Sequence, residues 1–112
     1  MSSQREKLRD VLLLHKGKHN KITSAEIANH LGIVEDDTHA QTRALILSVA
    51  EEYNIALAAD TRGYYIITTD KEYEDYMYNL ESRIQGINKR KNIITKNYKG
   101  ENKWILQLKM KN

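Results

Sequence analysis

The 112 residues contain no cysteine, no proline and no phenylalanine, and only five glycines and one tryptophan. Without cysteine there is no disulfide framework, no thiol nucleophile and no thiolate zinc site, and a reducing compartment is the natural setting. No proline-rich linker or internal repeat divides the chain, and a domain usually takes roughly 100 to 200 residues, so one core is expected. No apolar run, Val11 to Leu14 and Ile55 to Ala59 included, approaches the roughly 20 residues that span a bilayer. The polar start Ser2-Ser3-Gln4-Arg5-Glu6 does not resemble a signal peptide. These absences point to a soluble cytoplasmic protein.

What is present is a foldable mixture, 40% hydrophobic and 29% charged, with seven tyrosines. The net charge of +3 is unevenly spread. Residues 1–82 hold 9 Lys and Arg against 14 Asp and Glu, a net of −5, whereas residues 83–112 hold 9 against Glu101 alone, a net of +8. A basic block on the last quarter of a chain is a signature of polyanion partners, nucleic acid before membrane.

Residues 4–15 carry Leu8, Val11, Leu12 and His15 on a helical stripe. Lys16 to Lys21 breaks the pattern with Gly17 and clustered polar residues, a loop. Thr23-Ser24-Ala25-Glu26 has the capping-box form, and Gly32 stands where a helix end needs a left-handed residue, which predicts a short second helix. Glu35-Asp36-Asp37-Thr38 offers acids for a helix start, and the apolar period through Tyr53 predicts a third helix over 38–53, closed by Asn54. Ile55 to Ala59 and Tyr64 to Thr69 read as strands, with Asp60-Thr61-Arg62-Gly63 as the turn of a hairpin. From Asp70, read as an N-cap, a helix runs to residue 99. Its residues Tyr73, Met77, Leu80, Ile84, Ile87, Lys91, Ile94 and Tyr98 follow steps of four and three, a heptad seam. Trp104, Leu106, Leu108 and Met110 then alternate with other residues, as in an amphipathic edge strand.

The fold class is therefore α+β and mostly helical. The order helix, helix, helix, hairpin, helix, with Ala28 four residues before Gly32, is that of a winged helix-turn-helix followed by a long helix and a short terminal strand. Thr23 to Ala28, Leu31-Gly32-Ile33, Thr42 to Ile46, Arg62 to Ile66 and the helix from Glu72 to Arg83 together resemble the small winged-helix proteins of phages and prophage-like regions. The resemblance covers roughly residues 5 to 90. It implies that the third helix reads DNA and the hairpin is the wing, in transcription regulation or phage replication. Together with the heptad seam and the charge split, this divides the chain into a winged helix-turn-helix domain at 1–69, a dimerisation helix at 70–99 and a basic tail with the strand at 100–112. The segment from Ile33 to Gln41 departs from the family in being longer and more acidic, and carboxylates are unfavourable beside phosphates.

On this frame His39, Gln41, Thr42 and Arg43 are candidates for DNA contact, because Arg pairs with guanine, Gln with adenine, and Thr with phosphate or a base edge. The alternative is an ordinary solvated helix face. Arg62 at the wing tip could touch phosphate or a minor groove, although a hairpin turn is polar in any case. Lys16, Lys18 and Lys21, with His19, form a basic loop suited to phosphates, or simply to water. Lys89, Arg90 and Lys96 belong to the basic stretch from Arg83 to Lys103, which is either a phosphate-binding face or the outer face of a coiled coil. Ile84, Ile87, Ile94 and Tyr98 are candidates for a homodimer interface, since each Ile left in water forgoes roughly 1.5 to 3 kcal/mol of burial. Lys91 in the seam and Gly86 beside it weaken the helix and count against a long rigid zipper.

His15 and His19 are four apart, but Gly17 interrupts the helix that would align them; Asp36, Asp37 and His39 lack further ligands by sequence. Phosphate-binding glycine loops and nucleophile motifs are absent. No enzyme, metal or cofactor is expected. Two readings stand: a double-stranded DNA binder acting as a homodimer, and a protein-interaction module on a winged-helix fold that does not bind DNA.

Overall fold

A computed structural model describes residues 2–100. Four helices, α1 (Gln4–Leu13), α2 (Ser24–Leu31), α3 (Ala40–Glu52) and α4 (Asp70–Lys99), accompany a hairpin of β1 (Leu57–Asp60) and β2 (Gly63–Ile66). The fold is α+β and mostly helical. The expected strand at 104–110 lies outside the described residues.

Each boundary has an identifiable cause. Ser3 Oγ accepts from the Glu6 N–H and starts α1. The helix stops at Leu13, two residues short of the expected end, because the Asn20 side chain takes the Leu14 carbonyl at 2.9 Å and the His15 carbonyl accepts from the Ile66 N–H. Helix α2 has the complete capping box, Thr23 Oγ1 accepting from the Glu26 N–H while the Glu26 carboxylate accepts from the Thr23 N–H. Gly32 ends it at φ +68°, with the Ile33 N–H on the Ala28 carbonyl. Asn54, at φ +56°, closes α3 in the same manner, the Ile55 N–H bonding the Ala50 carbonyl.

Helix α3 begins at Ala40 and not at Thr38. Asp36 turns its carboxylate onto the Thr38 N–H and hydroxyl, a local turn that competes with helix. Strand β2 ends at Ile66, since Thr68 and Thr69 serve α4 instead: Thr69 Oγ1 accepts from the Glu72 N–H at 3.1 Å. Thr69 is thus the N-cap, and Asp70 falls one residue inside.

The hairpin pairs Leu57 with Ile66 and Asp60 with Gly63 across a two-residue loop. The connection between α1 and α2 lies along the outer edge of β2. Ile22 and Tyr64 exchange both backbone hydrogen bonds, at 2.9 and 2.7 Å, and Gly17 donates to the Ile66 carbonyl at 2.8 Å. This edge pairing covers main-chain groups that would otherwise be open. The core beneath is Leu8, Leu12, Ile22, Ile27, Ile46, Val49 and Tyr64.

The chain forms two compact units, one ending at Glu74 and the next beginning at Asp75. The first turn of α4 belongs with the first unit because the Glu72 carboxylate accepts from the N–H groups of Thr68, at 2.9 Å, and Lys18, at 2.8 Å. The remainder of α4 buries no residue.

Candidate nucleic-acid interface

The N-terminus of α3 is where base contacts were expected, and its residues divide sharply. His39 is the N-cap, in the left-handed region at φ +53°, and makes no capping hydrogen bond. One orphan N–H is served from further back: both Glu35 oxygens accept from the Thr42 N–H, at 3.2 and 3.3 Å. Glu35 thereby sets a negative charge on the positive end of the helix. Its side chain is only 10% exposed, and Oε1 lies 3.6 Å from His39 Nδ1, an ion pair when that imidazole is protonated. The acids flanking α3 are therefore not equivalent. Glu35 caps the helix, Asp36 holds the preceding turn, and Asp37 is exposed.

Thr42 leaves the candidate set. Its side chain is fully buried between α3 and the core, and its hydroxyl has no hydrogen-bond partner. Helical geometry explains this: Thr42, Ile46 and Val49 share a face four and three residues apart, and that face is the core face. Gln41 and Arg43 flank it on opposite sides, and both are exposed. The outward centre of α3 carries Ala40, Ala44, Leu47 and Glu51, with Leu47 66% exposed. Val34, in the connection before α3, is 96% exposed.

The basic loop also divides. Lys21 is committed within the fold: its ammonium pairs with the Asp60 carboxylate and sits 5.7 Å from the Tyr65 ring centroid, leaving the side chain 17% exposed. Burial by itself would push the Asp60 carboxyl up, but Lys21 and the N–H groups of Arg62 and Gly63 outweigh it and hold the carboxyl below its ordinary range. Lys21 is a structural cation and is removed from the set of phosphate contacts. Lys16, Lys18 and His19 remain exposed, their loop pinned by the main-chain bonds to Ile66 and Glu72. Arg62 projects from the hairpin loop, its own N–H held by Asp60 Oδ1 at 2.8 Å. Of the remaining arginines in the first unit, Arg5 is tied to Glu52 and Ser48, and Arg9 to Asp10 and the Tyr53 ring.

On α4, every residue from Glu81 to Lys99 is exposed. Residues 83–99 include Arg83, Lys89, Arg90, Lys91, Lys96 and Lys99 and no carboxylate. Ile84, Ile87, Ile94 and Tyr98 are all more than half exposed in the isolated chain. Among the described residues no group of three His, Asp or Glu side chains could hold a metal ion, and no helix is long and apolar enough to cross a membrane.

What sequence reasoning missed is the role of Glu35 and the position of Thr42. Glu35 lies seven residues before the N–H it accepts, outside the three-residue spacing of a capping box. No protein-family model, no curated protein and no solved structure matches the chain.

Proposed function

We propose that this chain is a winged helix-turn-helix protein that binds double-stranded DNA as a homodimer. The observation that carries the reading is the cation run of α4: six Lys and Arg over residues 83–99, all exposed and without one carboxylate among them. Each phosphate such a run neutralises releases a counterion and adds to affinity. Arg43 and Gln41 beside the start of α3, Arg62 on the hairpin loop, and Lys16 and Lys18 next to the hairpin edge supply the remaining contacts. The α1–α2 connection lying along β2 supports the winged-helix assignment, since it completes the edge beside which the wing projects. In this reading the seam residues Ile84, Ile87, Ile94 and Tyr98 hold the two copies together.

The test is a salt series of fluorescence anisotropy on random duplex DNA. Binding at low ionic strength that falls steeply with added salt supports the reading, and no binding at low ionic strength overturns it. Replacing Lys89, Arg90 and Lys96 by Gln together should lower the slope of log K against log salt by roughly 0.9 for each phosphate that is no longer neutralised.

A second reading, a protein-interaction module, is favoured by one observation. The outward face of α3 offers Leu47 and two alanines with Glu51, beside the exposed Val34, and only Arg43 as a cation. In that case Leu47→Ser would abolish capture of the protein partner while leaving any DNA affinity unchanged.

A further inference from the structure

The seam of α4 has a direction built into it. Over residues 70–82 the helix carries five carboxylates and Lys71, a net of −4, and over residues 83–99 it carries six cations, a net of +6. The apolar positions Met77, Leu80, Ile84, Ile87, Ile94 and Tyr98 run through both halves, interrupted by Lys91. Met77, Ile84, Lys91 and Tyr98 occupy one of the two alternating seam positions, and Leu80, Ile87 and Ile94 occupy the other. All but Leu80 are exposed, and Leu80 is partly so.

We infer that the occupant of this seam is the α4 helix of a second copy, lying antiparallel. The inference rests on the dimeric part of the proposed function and adds the orientation. Parallel in-register pairing would stack Lys91 on its own counterpart inside the seam and lay a segment of +6 along another of +6. Antiparallel pairing sets each basic half along the acidic half of the other helix. In an antiparallel pair the two seam positions alternate across the interface, so Met77 meets Ile94 of the second copy, Ile84 meets Ile87, and Lys91 meets Leu80 with Glu81 next to it. The buried-seam lysine thereby gains a carboxylate within reach of its long stem, while its methylenes cover leucine. Arg83 and Arg90 are the like-charged pair this arrangement leaves, on the flanking row where both guanidiniums reach water. Gly86 falls outside the seam, two residues from Ile84, where the lack of a side chain removes nothing from the interface.

The absence of native cysteine makes the orientation directly readable. Met77→Cys and Ile94→Cys each introduce a single thiol at an exposed helical position, and circular dichroism checks that both variants keep their helix content. One variant carries a longer terminal tag, the two are mixed, oxidised with diamide, and separated on a non-reducing gel. Antiparallel pairing predicts disulfide dimers between the two variants, at least ten times more abundant than either variant linked to itself. Self-linked dimers of each variant, equal amounts of all products, or no covalent dimer at all would overturn the proposal. A charge exchange gives an independent measure by sedimentation equilibrium: Glu81→Lys should shift the population toward monomer, and adding Lys91→Glu should restore the dimer. Failure of the double variant to restore it would also overturn the orientation. Neither experiment contains DNA, so loss of DNA affinity leaves this result intact, and a parallel dimer leaves the DNA reading standing.

Discussion

A methyl group on Gly63 would lie 2.5 Å from the Ile22 carbonyl oxygen and 2.8 Å from its carbon, and Gly63 itself sits at φ +136°. Both the backbone conformation and the close approach of the α1–α2 connection demand glycine there. Gly63→Ala should cost about 3 kcal/mol or more, read by urea unfolding, because the clash is with main chain that cannot rotate away. Thr42 predicts the opposite sign. Its buried hydroxyl has no partner, so the near-isosteric Thr42→Val should stabilise the fold by about 1 kcal/mol. Since that side chain touches no solvent, anisotropy on duplex DNA should be the same for Thr42→Val and wild type. A large loss of DNA affinity with the fold intact would return Thr42 to the contact set.

At the scale of elements, carboxylates hold the ends of helices and turns. The Thr23 N–H and hydroxyl hold the Glu26 carboxyl below its ordinary range, the Thr38 hydroxyl and N–H do the same to Asp36, and the N–H groups of Thr68 and Lys18 do so to Glu72. A carboxyl whose pKa is lower folded than unfolded stabilises the fold above its unfolded pKa. That contribution is lost as pH falls through the lowered folded value. The urea midpoint should therefore be level through neutral pH and decline below about pH 4, and Glu26→Gln and Glu72→Gln should each make the decline shallower. The capping box of α2 was legible in four consecutive residues, as were Gly32 and Asn54 as helix ends, because these devices act over three or four positions. The start of α3 was not, since Asp36 had two local uses for its carboxylate and chose the turn. The end of β2 was obscured likewise, as Thr68 and Thr69 fit a strand by type yet are engaged by Glu72.

Across the whole molecule, the two units differ in what protects them. Leu8, Leu12, Ile27, Ile46 and Val49 are buried in a shared core, whereas α4 beyond Glu74 buries nothing in the single chain. Hydrogen exchange should show the amides of Ile46 and Val49 opening only with global unfolding. Amides from Ile84 to Ile94 should exchange faster, with protection that rises with protein concentration as the seam is covered. Concentration-independent exchange over that stretch would indicate a monomer.

The sequence by itself determined the type and order of the elements over residues 2–100, the capping of α2 and the division of charge between residues 1–82 and 83–112. These follow from periodicity, short-range hydrogen bonding and arithmetic. Only the tertiary structure decided that Lys21 serves Asp60, 39 positions away, that the loop before it is tied to Glu72, 54 positions from Lys18, and that its ends border β2. It also decided that Thr42 faces the core while Gln41 and Arg43 stay outside. For the loop the physical reason is that a side chain's partner is chosen by what the folded chain brings beside it, and no local pattern records a neighbour so far along the sequence. For Thr42 the helical spacing to Ile46 and Val49 was local, and packing decided that this face is the one buried.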